Sequence, residues 1–332
     1  MSIARPVLSP ISTGLIFYPE QSSQMFFEGS EKKIELRVKQ GNASLRGFSR
    51  DFWEQGLALA GADILSVLSN GECDAYVLSE SSLFVWDSKV LLITCGNTNL
   101  IEAAVFLIDE LNVDNIASFT YQRKSEFLSH LQATRFEDDC QLLRSRLNGT
   151  AYRVGHLDGH HHYLFCSETT EMLSRSTSLL MYHIKGDIAE YLRQPNQTKA
   201  QILALLQLPK LLPEFVFDDH LFEPCGYSIN GLYGEHFLTM HITPQEHSAY
   251  VSIETNLNFE QSSFNIFSSM LKILTPCSWD IISVNQQLSA DSYPLHIEVA
   301  CCELALNAAN SFNYKHYIQP VREELTAAVI KV

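Results

Sequence analysis

The pattern of apolar and polar residues predicts alternating strands and helices along the first half of the chain. Ile34, Leu36 and Val38 alternate with charged residues from Lys33 to Lys39, which predicts a strand with one face toward solvent. Apolar residues at helical spacing predict a helix over 49–68, and a strongly apolar segment predicts another over 100–111. Further strands are predicted at 75–78, 83–86, 90–94 and 116–121, with a helix at 136–147.

The second half repeats this rhythm. Strands are predicted at 153–155, 163–166, 227–232, 238–242, 249–254, 280–284 and 295–300, with one helix over 261–274 and a linker-like stretch at 195–210. Antiparallel strands with a few helices in each half indicate an α+β fold, because a doubly wound fold alternates strand and helix regularly. Two sheets stacked face to face, with helices outside, satisfy the pattern, and no segment requires a domain boundary.

Composition and charge narrow the class of protein. The chain has 332 residues, 46% of them hydrophobic, and 23 basic against 38 acidic residues give a net charge of −15. A nucleic-acid partner is not expected, because neutralising phosphates needs clustered Lys and Arg. The sequence has no run of 18 apolar residues, so no membrane-spanning helix is predicted. Residues 1–20 are interpreted as an irregular leader and not as a secretion signal. Eight cysteines without zinc spacing predict reduced thiols and a cytoplasmic protein.

The Glu80-Ser81 pair lies in a polar bend between two apolar strands. Such a bend is most often an ordinary surface turn. A serine hydroxyl, however, lies within reach of the carbonyl that precedes it. If the bend is strained, an N→O acyl shift can break the chain between Glu80 and Ser81.

Six sequence blocks give this bend a context. They are FFEGSEK at 26–32, YVLSESSLFV at 76–85, TCG at 94–96, PCGYSING at 224–231, HITP at 241–244 and YVSIETN at 250–256. In order and approximate spacing, the chain resembles the eukaryotic S-adenosylmethionine decarboxylases over residues 25 to about 285. The resemblance implies a four-layer αββα sandwich, formed as a single domain over 1–332.

The resemblance also implies a self-cleavage. Ser81 is expected to attack the Glu80 carbonyl, with Ser228 and His241 handling protons. The products are a β chain of residues 1–80 and an α chain of residues 81–332 that starts with a pyruvoyl group. That group replaces pyridoxal phosphate as an electron sink, because its carbonyl forms a Schiff base with the substrate amine. Cys95 is expected to protonate the decarboxylated product.

The remaining site residues follow from the same resemblance. Phe27 and Phe222 match the rings that enclose adenine, and ring faces also attract a sulfonium cation. Leu78 and Glu80 are expected to contact the base through their backbones, and Glu28 and Glu31 match acids at or near the site. The family's ribose-binding Glu is Gln245 here, with Glu246 next to it, so either residue is a candidate for that role.

Three further groups of residues bear on activation, metal binding and surface charge. The animal enzymes bind putrescine at an acidic cluster, whereas this chain has Ser174 and Ser178 in place of two acids and Ile93 in place of a lysine, although Glu35 and Glu254 remain. Little or no putrescine activation is therefore expected. Consecutive histidines at 160–162 point to opposite faces of a strand, so no metal site is predicted there. The acids at 137–139 are expected to form a solvated helix start.

Three functions remain open from the sequence. The first is decarboxylation of S-adenosylmethionine, and the second is decarboxylation of another amino acid, such as arginine or ornithine, which Gln245 motivates. The third is a non-catalytic paralogue that regulates an active partner, although the chain keeps Ser81, Cys95 and His241. A homodimer is also possible, because animal relatives pair and plant relatives need not.

Overall fold

The computed structural model describes residues 31–223, 225–245, 249–259, 265–287 and 296–320. The first half contributes eight strands: β1 Lys32–Val38, β2 Ile64–Ser69, β3 Cys73–Leu78, β4 Ser81–Trp86, β5 Lys89–Thr94, β6 Ile116–Lys124, β7 Gly149–Gly155 and β8 His161–Ser167. The second half contributes eight more: β9 Ser176–Tyr182, β10 Val216–Leu221, β11 Tyr227–Tyr233, β12 His236–Thr243, β13 Tyr250–Thr255, β14 Ser278–Val284, β15 Ile297–Ala305 and β16 Ser311–Ile318.

The two sheets share one topology. The first runs β2-β3-β4-β5-β1-β6-β8-β7, and the second runs β10-β11-β12-β13-β9-β14-β16-β15, with antiparallel pairing throughout. Adding eight to each strand number of the first sheet gives the second. The chain therefore folds as two copies of one eight-strand arrangement, which the repeated rhythm of the sequence suggested.

Helices cover the outer face of each sheet. In the first half these are α1 Arg50–Ala60, α2 Leu100–Leu111 and α3 Phe136–Arg144, and in the second half α4 Gly186–Arg193, α5 Lys199–Leu206, α6 Leu208–Leu211 and α7 Ile266–Leu274. Each group packs its apolar face onto one sheet and forms a separate core. The predicted four-layer αββα sandwich is confirmed.

The interior between the sheets is apolar at both ends and polar in the middle. At one end, Phe84 of β4 packs on Phe237 of β12 with ring centroids 4.8 Å apart. At the other end, Phe312 and Tyr314 of β16 join a cluster with Leu164 of β8. Buried serines, threonines and charged residues lie between these clusters, and the candidate site residues are among them.

The predicted helix over 49–68 is wrong beyond Ala60. Ser49 caps the start of α1, and Gly61 ends it in a left-handed conformation with φ of 78°. Residues Ile64–Ser69 form β2 instead, paired with β3. The apolar residues at 64, 65 and 68 fit a helical period by chance, because a strand of this length offers too few positions to tell the two periods apart.

Three other interpretations also need correction. Lys33 of β1 does not face solvent but is buried between the sheets, and Asp139 is buried against Arg123 instead of lying on a solvated helix start. The linker-like stretch at 195–210 contains α5 and most of α6. Strands β9, β10 and β16 and helix α4 were not predicted. The single domain over 1–332 stays a prediction, and the leader at 1–20 lies outside the described residues.

Candidate active site

The Glu80–Ser81 bond lies where a tight turn enters β4. Leu78 pairs with Ser81 across the hairpin, so Ser79 and Glu80 form the whole turn. Asp63 anchors the turn from outside, because its backbone N–H donates to Ser79 Oγ at 3.0 Å and its carbonyl accepts from Ser79 N at 2.9 Å. Asp63 therefore holds the turn through both the backbone and the side chain of Ser79.

Ser81 has a strained backbone. Its φ is 137°, a value that favours glycine, and a non-glycine residue held in such a conformation costs about 1–3 kcal/mol. The residue is 2% exposed, and its Oγ has no hydrogen-bond partner among the described residues. Because no hydrogen bond occupies this buried hydroxyl, its oxygen is available to act as a nucleophile.

The Glu80 carbonyl receives two donors from one residue. The backbone N–H of Cys95 donates to Glu80 O at 3.1 Å, and the Cys95 thiol donates to the same oxygen at 3.4 Å. The pairing of Ser81 with Thr94 across β4 and β5 places Cys95 beside Glu80. Donors aimed at a carbonyl oxygen stabilise the negative charge that forms when the carbonyl is attacked.

Burial, helped by two nearby carboxylates, keeps the Cys95 thiol protonated. Burial raises its pKa well above the usual value, and the carboxylates of Glu80 and Glu31 raise it further. The Lys32 ammonium fixes the loop that follows Cys95, because it donates to Gly96 O at 3.1 Å and to Thr98 O at 2.8 Å. Burial lowers the pKa of Lys32 to about 8. Cys95 is thus a neutral acid on a fixed loop, and the role of Lys32 was not predicted from the sequence.

Ser228 and His241 meet across β11 and β12. They are directly paired in the ladder, and Ser228 Oγ lies 2.8 Å from His241 Nδ1. Both residues are buried, and burial lowers the pKa of His241 to about 3. The imidazole is therefore neutral at physiological pH and able to accept a proton.

Ser82 joins the two parts of the site. Its Oγ lies 3.3 Å from His241 Nε2, 3.2 Å from Thr239 Oγ1 and 2.7 Å from Asn230 Oδ1. Sequence reasoning missed all three of Ser82, Asn230 and Thr239. The signal was present: Asn230 follows Ser228 by two residues and Thr239 precedes His241 by two, so each pair shares one face of its strand.

Two acids near the site have raised pKa values. Burial raises the pKa of Glu80, and burial together with the charge of Glu254 raises that of Glu31. Glu31 also accepts from Tyr250 OH at 3.5 Å. Carboxyl groups of this kind hold protons more readily than exposed ones, and the role of Glu31 as an acid at or near the site stays a prediction.

The predicted substrate residues are only partly described. Leu78 ends β3 and is fully buried, Phe222 is half-buried with its ring 4.7 Å from that of His220, and Gln245 follows β12. Phe27, Glu28 and Glu246 lie outside the described residues. The roles given to these six residues stay predictions.

The region that corresponds to the putrescine site of the animal enzymes already contains a cation of this chain. Lys33 Nζ donates to Glu254 Oε2 at 2.8 Å and to Ser178 Oγ at 2.9 Å. The cavity that remains beside them, lined also by Glu35 and Ser174, has a volume of about 10 Å³. That is room for about one water molecule. A diamine does not fit unless Lys33 moves.

The three consecutive histidines do not converge. His161 contacts Tyr163 and loop carbonyls, His162 contacts Gln122, and His160 lies beside Asp280 and His316 of the second sheet. His160, Asp280 and His316 are the one group in the described part of the chain that could hold a metal ion by distance. Their possible ligand atoms all lie within 4.8 Å of one another. The His160 and His316 rings, however, are stacked at 17°. One ion cannot lie in the plane of two nearly parallel rings, and the absence of a metal stays a prediction.

The fold and site together define a class of protein. A buried, strained serine that follows a carbonyl with two hydrogen-bond donors, together with a buried neutral imidazole, is an arrangement suited to attack on the preceding peptide bond. The chain belongs to the adenosylmethionine decarboxylase family, whose sequence profile matches residues 24–323.

Individual relatives agree with this assignment. The chain is 32% identical over 274 residues to the S-adenosylmethionine decarboxylase proenzyme of Onchocerca volvulus, covering 75% of this chain and 72% of the relative. The Xenopus laevis proenzyme is 30% identical and is matched over 77% and 82% of the two chains. The crystal structure of Trypanosoma brucei AdoMetDC-delta26 monomer has a TM-score of 0.57 at 20% identity, covering 72% of this chain and 99% of that one, and so supports the fold. No helix of the described residues is long and apolar enough to cross a membrane.

Proposed function

We propose that this chain cleaves itself between Glu80 and Ser81 and then decarboxylates S-adenosylmethionine. One observation carries the proposal: the strained Ser81 directly follows a carbonyl that accepts two hydrogen bonds from Cys95. Ordinary hairpin turns need neither feature. Membership of the adenosylmethionine decarboxylase family supplies the substrate.

The cleavage has two covalent stages. Ser81 Oγ attacks the Glu80 carbonyl carbon, the C–N bond breaks, and an ester joins the two segments while the Ser81 amine becomes free. His241, aided by Ser228, then accepts the proton from Cα of residue 81, and the Cβ–Oγ bond breaks to release the Glu80 carboxylate. The dehydroalanine that remains takes up water and loses ammonia to give a pyruvoyl group. The products are chains of residues 1–80 and 81–332.

The pyruvoyl group supplies the electron sink that decarboxylation of an amino acid needs. It starts at residue 81, beside the neutral Cys95 thiol. A protonated thiol is suited to donate the proton that replaces the lost carboxylate. Phe222 and Phe27 are proposed to hold the adenine, and Gln245 or Glu246 the ribose. These contacts, together with the family assignment, favour S-adenosylmethionine over arginine or ornithine.

We propose that the enzyme works without putrescine. The buried Lys33 ammonium already neutralises Glu254, and the residual cavity of about 10 Å³ admits no diamine. The prediction made from Ser174, Ser178 and Ile93 thus gains a physical reason that the sequence did not reveal: the missing activator is replaced by a side chain of the protein itself.

We also propose that the protein acts in the cytoplasm, because its eight cysteines are all free. The homodimer stays a prediction, although the Trypanosoma brucei relative is described as a monomer. Light scattering of the cleaved protein tests this point directly.

The mass of the purified protein under denaturing conditions tests the cleavage. We expect two fragments that divide at Glu80–Ser81, the larger lighter by one ammonia than a chain starting with serine. The Ser81→Ala chain, which lacks the nucleophile, is the control and should stay whole. Release of labelled carbon dioxide from S-adenosylmethionine, but not from arginine or ornithine, tests the substrate. A single uncut chain without a carbonyl group would instead support the regulatory paralogue.

A further inference from the structure

A row of buried polar side chains leads from His241 to the amide of Asn230. Ser82 Oγ donates to Asn230 Oδ1 at 2.7 Å. Thr239 Oγ1 lies 3.2 Å from Ser82 Oγ and 2.9 Å from His241 Nε2. Asn230 and Ser82 are 0% exposed and Thr239 is 1% exposed, so bulk water does not compete for these bonds. The four groups form one continuous path.

The direction of every proton in this row follows from its last member. A carboxamide oxygen can only accept, so it takes the single hydroxyl proton of Ser82. Ser82 Oγ then has only acceptor capacity left, and the one arrangement that makes every contact of the row a hydrogen bond gives it the hydroxyl proton of Thr239. Having given that proton away, Thr239 accepts from His241, whose Nε2 must therefore carry a hydrogen.

The other ring nitrogen is left with a lone pair. A neutral imidazole carries one N–H, so Nδ1 has none when Nε2–H is present. Nδ1 faces Ser228 Oγ at 2.8 Å. The lone pair accepts the Ser228 hydroxyl proton, and its basicity is directed to the side of the ring where Ser228 lies.

We propose that Asn230, Ser82 and Thr239 are positioning residues that hold His241 in its Nε2–H tautomer, so that Nδ1 is the basic atom. The proposal rests on the proposed self-cleavage, in which His241 accepts a proton. In the opposite tautomer Nδ1–H would donate to Ser228, and the base would face Thr239 instead. The row therefore decides on which side of the ring proton transfer takes place.

Nitrogen-15 NMR of histidine-labelled Ser81→Ala protein tests the tautomer without any cleavage. The chemical shift of each ring nitrogen separates a protonated from an unprotonated atom, and a His241→Gln variant identifies the signals. We expect Nε2–H in this chain. Thr239→Val keeps the shape and removes the hydroxyl, and it should give a mixture of tautomers, whereas Thr239→Ser should retain Nε2–H. Finding Nδ1–H at the outset, or no change in Thr239→Val, would overturn the proposal.

The rate of self-cleavage gives a second, independent readout. Thr239→Val should slow cleavage by about 10–100-fold, a part of the 10²–10⁴-fold that a positioned base contributes. Thr239→Ser should restore it to within about 3-fold of the parent on the same basis. Equal rates in the Val and Ser variants would contradict the proposed role.

A second pair of variants guards against a folding defect. Ser82→Thr keeps the hydroxyl that links Thr239 to Asn230 and should keep both tautomer and rate, while Ser82→Val, of nearly the same shape as Thr but without the hydroxyl, should lose both. If the unaltered chain proves uncut, the proposed function fails. The NMR measurement on the Ser81→Ala chain still decides the tautomer in that case, so the two failures are distinguishable.

Discussion

Lys33 of β1 and Glu254 of β13 form a buried ion pair that joins the two sheets. The Nζ–Oε2 distance is 2.8 Å, and the two side chains are 7% and 3% exposed. Ser178 Oγ bonds to both partners at 2.9 Å. The pair contributes little net free energy compared with an apolar replacement, but removal of one partner leaves a buried charge alone.

Replacing Lys33 by Met should therefore destabilise the uncut Ser81→Ala chain by about 3–5 kcal/mol, measured by urea unfolding. Replacing both residues, with Lys33→Met and Glu254→Gln, should recover most of the loss, because no unpaired charge remains. Arg50→Met breaks the exposed Arg50–Glu54 pair and serves as the control. Its expected loss is below about 1 kcal/mol. Similar losses for Lys33→Met and Arg50→Met would contradict a buried role for Lys33.

Shortening Lys33 to Ala should open a site for an external amine. The variant leaves Glu254 without its cation and adds the volume of the lost side chain to the existing cavity. We expect putrescine to raise the melting temperature of Lys33→Ala and to leave the parent and Lys33→Arg unchanged. An equal response of all three chains would mean that the amine binds elsewhere.

Short-range sequence pattern was sufficient for part of the fold. Helix α2 was predicted with its observed bounds, because apolar residues occupy nearly all of its length between polar flanks. The residues Ser81, Cys95, Ser228 and His241 were predicted from the family resemblance of the blocks that contain them, and the structure places them in two linked groups.

The misses share a physical cause. Alternation along β1 shows that Lys33 and Ile34 face opposite sides, but not that a second sheet covers the polar side. The burial of Asp139 likewise depends on Arg123 and Tyr121 of a distant strand. The order of the strands and the stacking of the sheets determine the partner of each buried charge. A short stretch of sequence contains no information about either.

Two buried histidines should make the protein sensitive to acid. Burial lowers the pKa of both His162 and His241 to about 3, whereas the unfolded chain protonates them near 6.5. Between these values the unfolded state binds more protons, so stability falls as the pH drops from 6.5 toward 3 and does not change from this cause above 6.5. The loss is on the order of 1.4 kcal/mol per pH unit for each residue.

Urea unfolding at several pH values checks this with His162→Gln in the Ser81→Ala chain. The variant should lose stability less steeply than its parent below pH 6.5, by on the order of 1.4 kcal/mol per pH unit. His130→Gln, at an exposed position, is the control and should follow the parent. Parallel curves for the parent and His162→Gln would show that His162 takes up its proton while folded.

Backbone strain at Ser81 predicts an unusual order of stability between two uncut variants. Its φ of 137° suits glycine, and the strain of about 1–3 kcal/mol persists in Ser81→Ala but is relieved in Ser81→Gly. The greater freedom of glycine in the unfolded chain offsets about 0.5–1 kcal/mol of that gain. Ser81→Gly should therefore be the more stable of the two, by up to about 2.5 kcal/mol in urea unfolding. At Ser82, which does not have a positive φ, the order should reverse, with Ser82→Ala more stable than Ser82→Gly. If alanine is preferred at both positions, the turn is not strained, and the acyl shift must then draw on the hydrogen bonds of Cys95 alone.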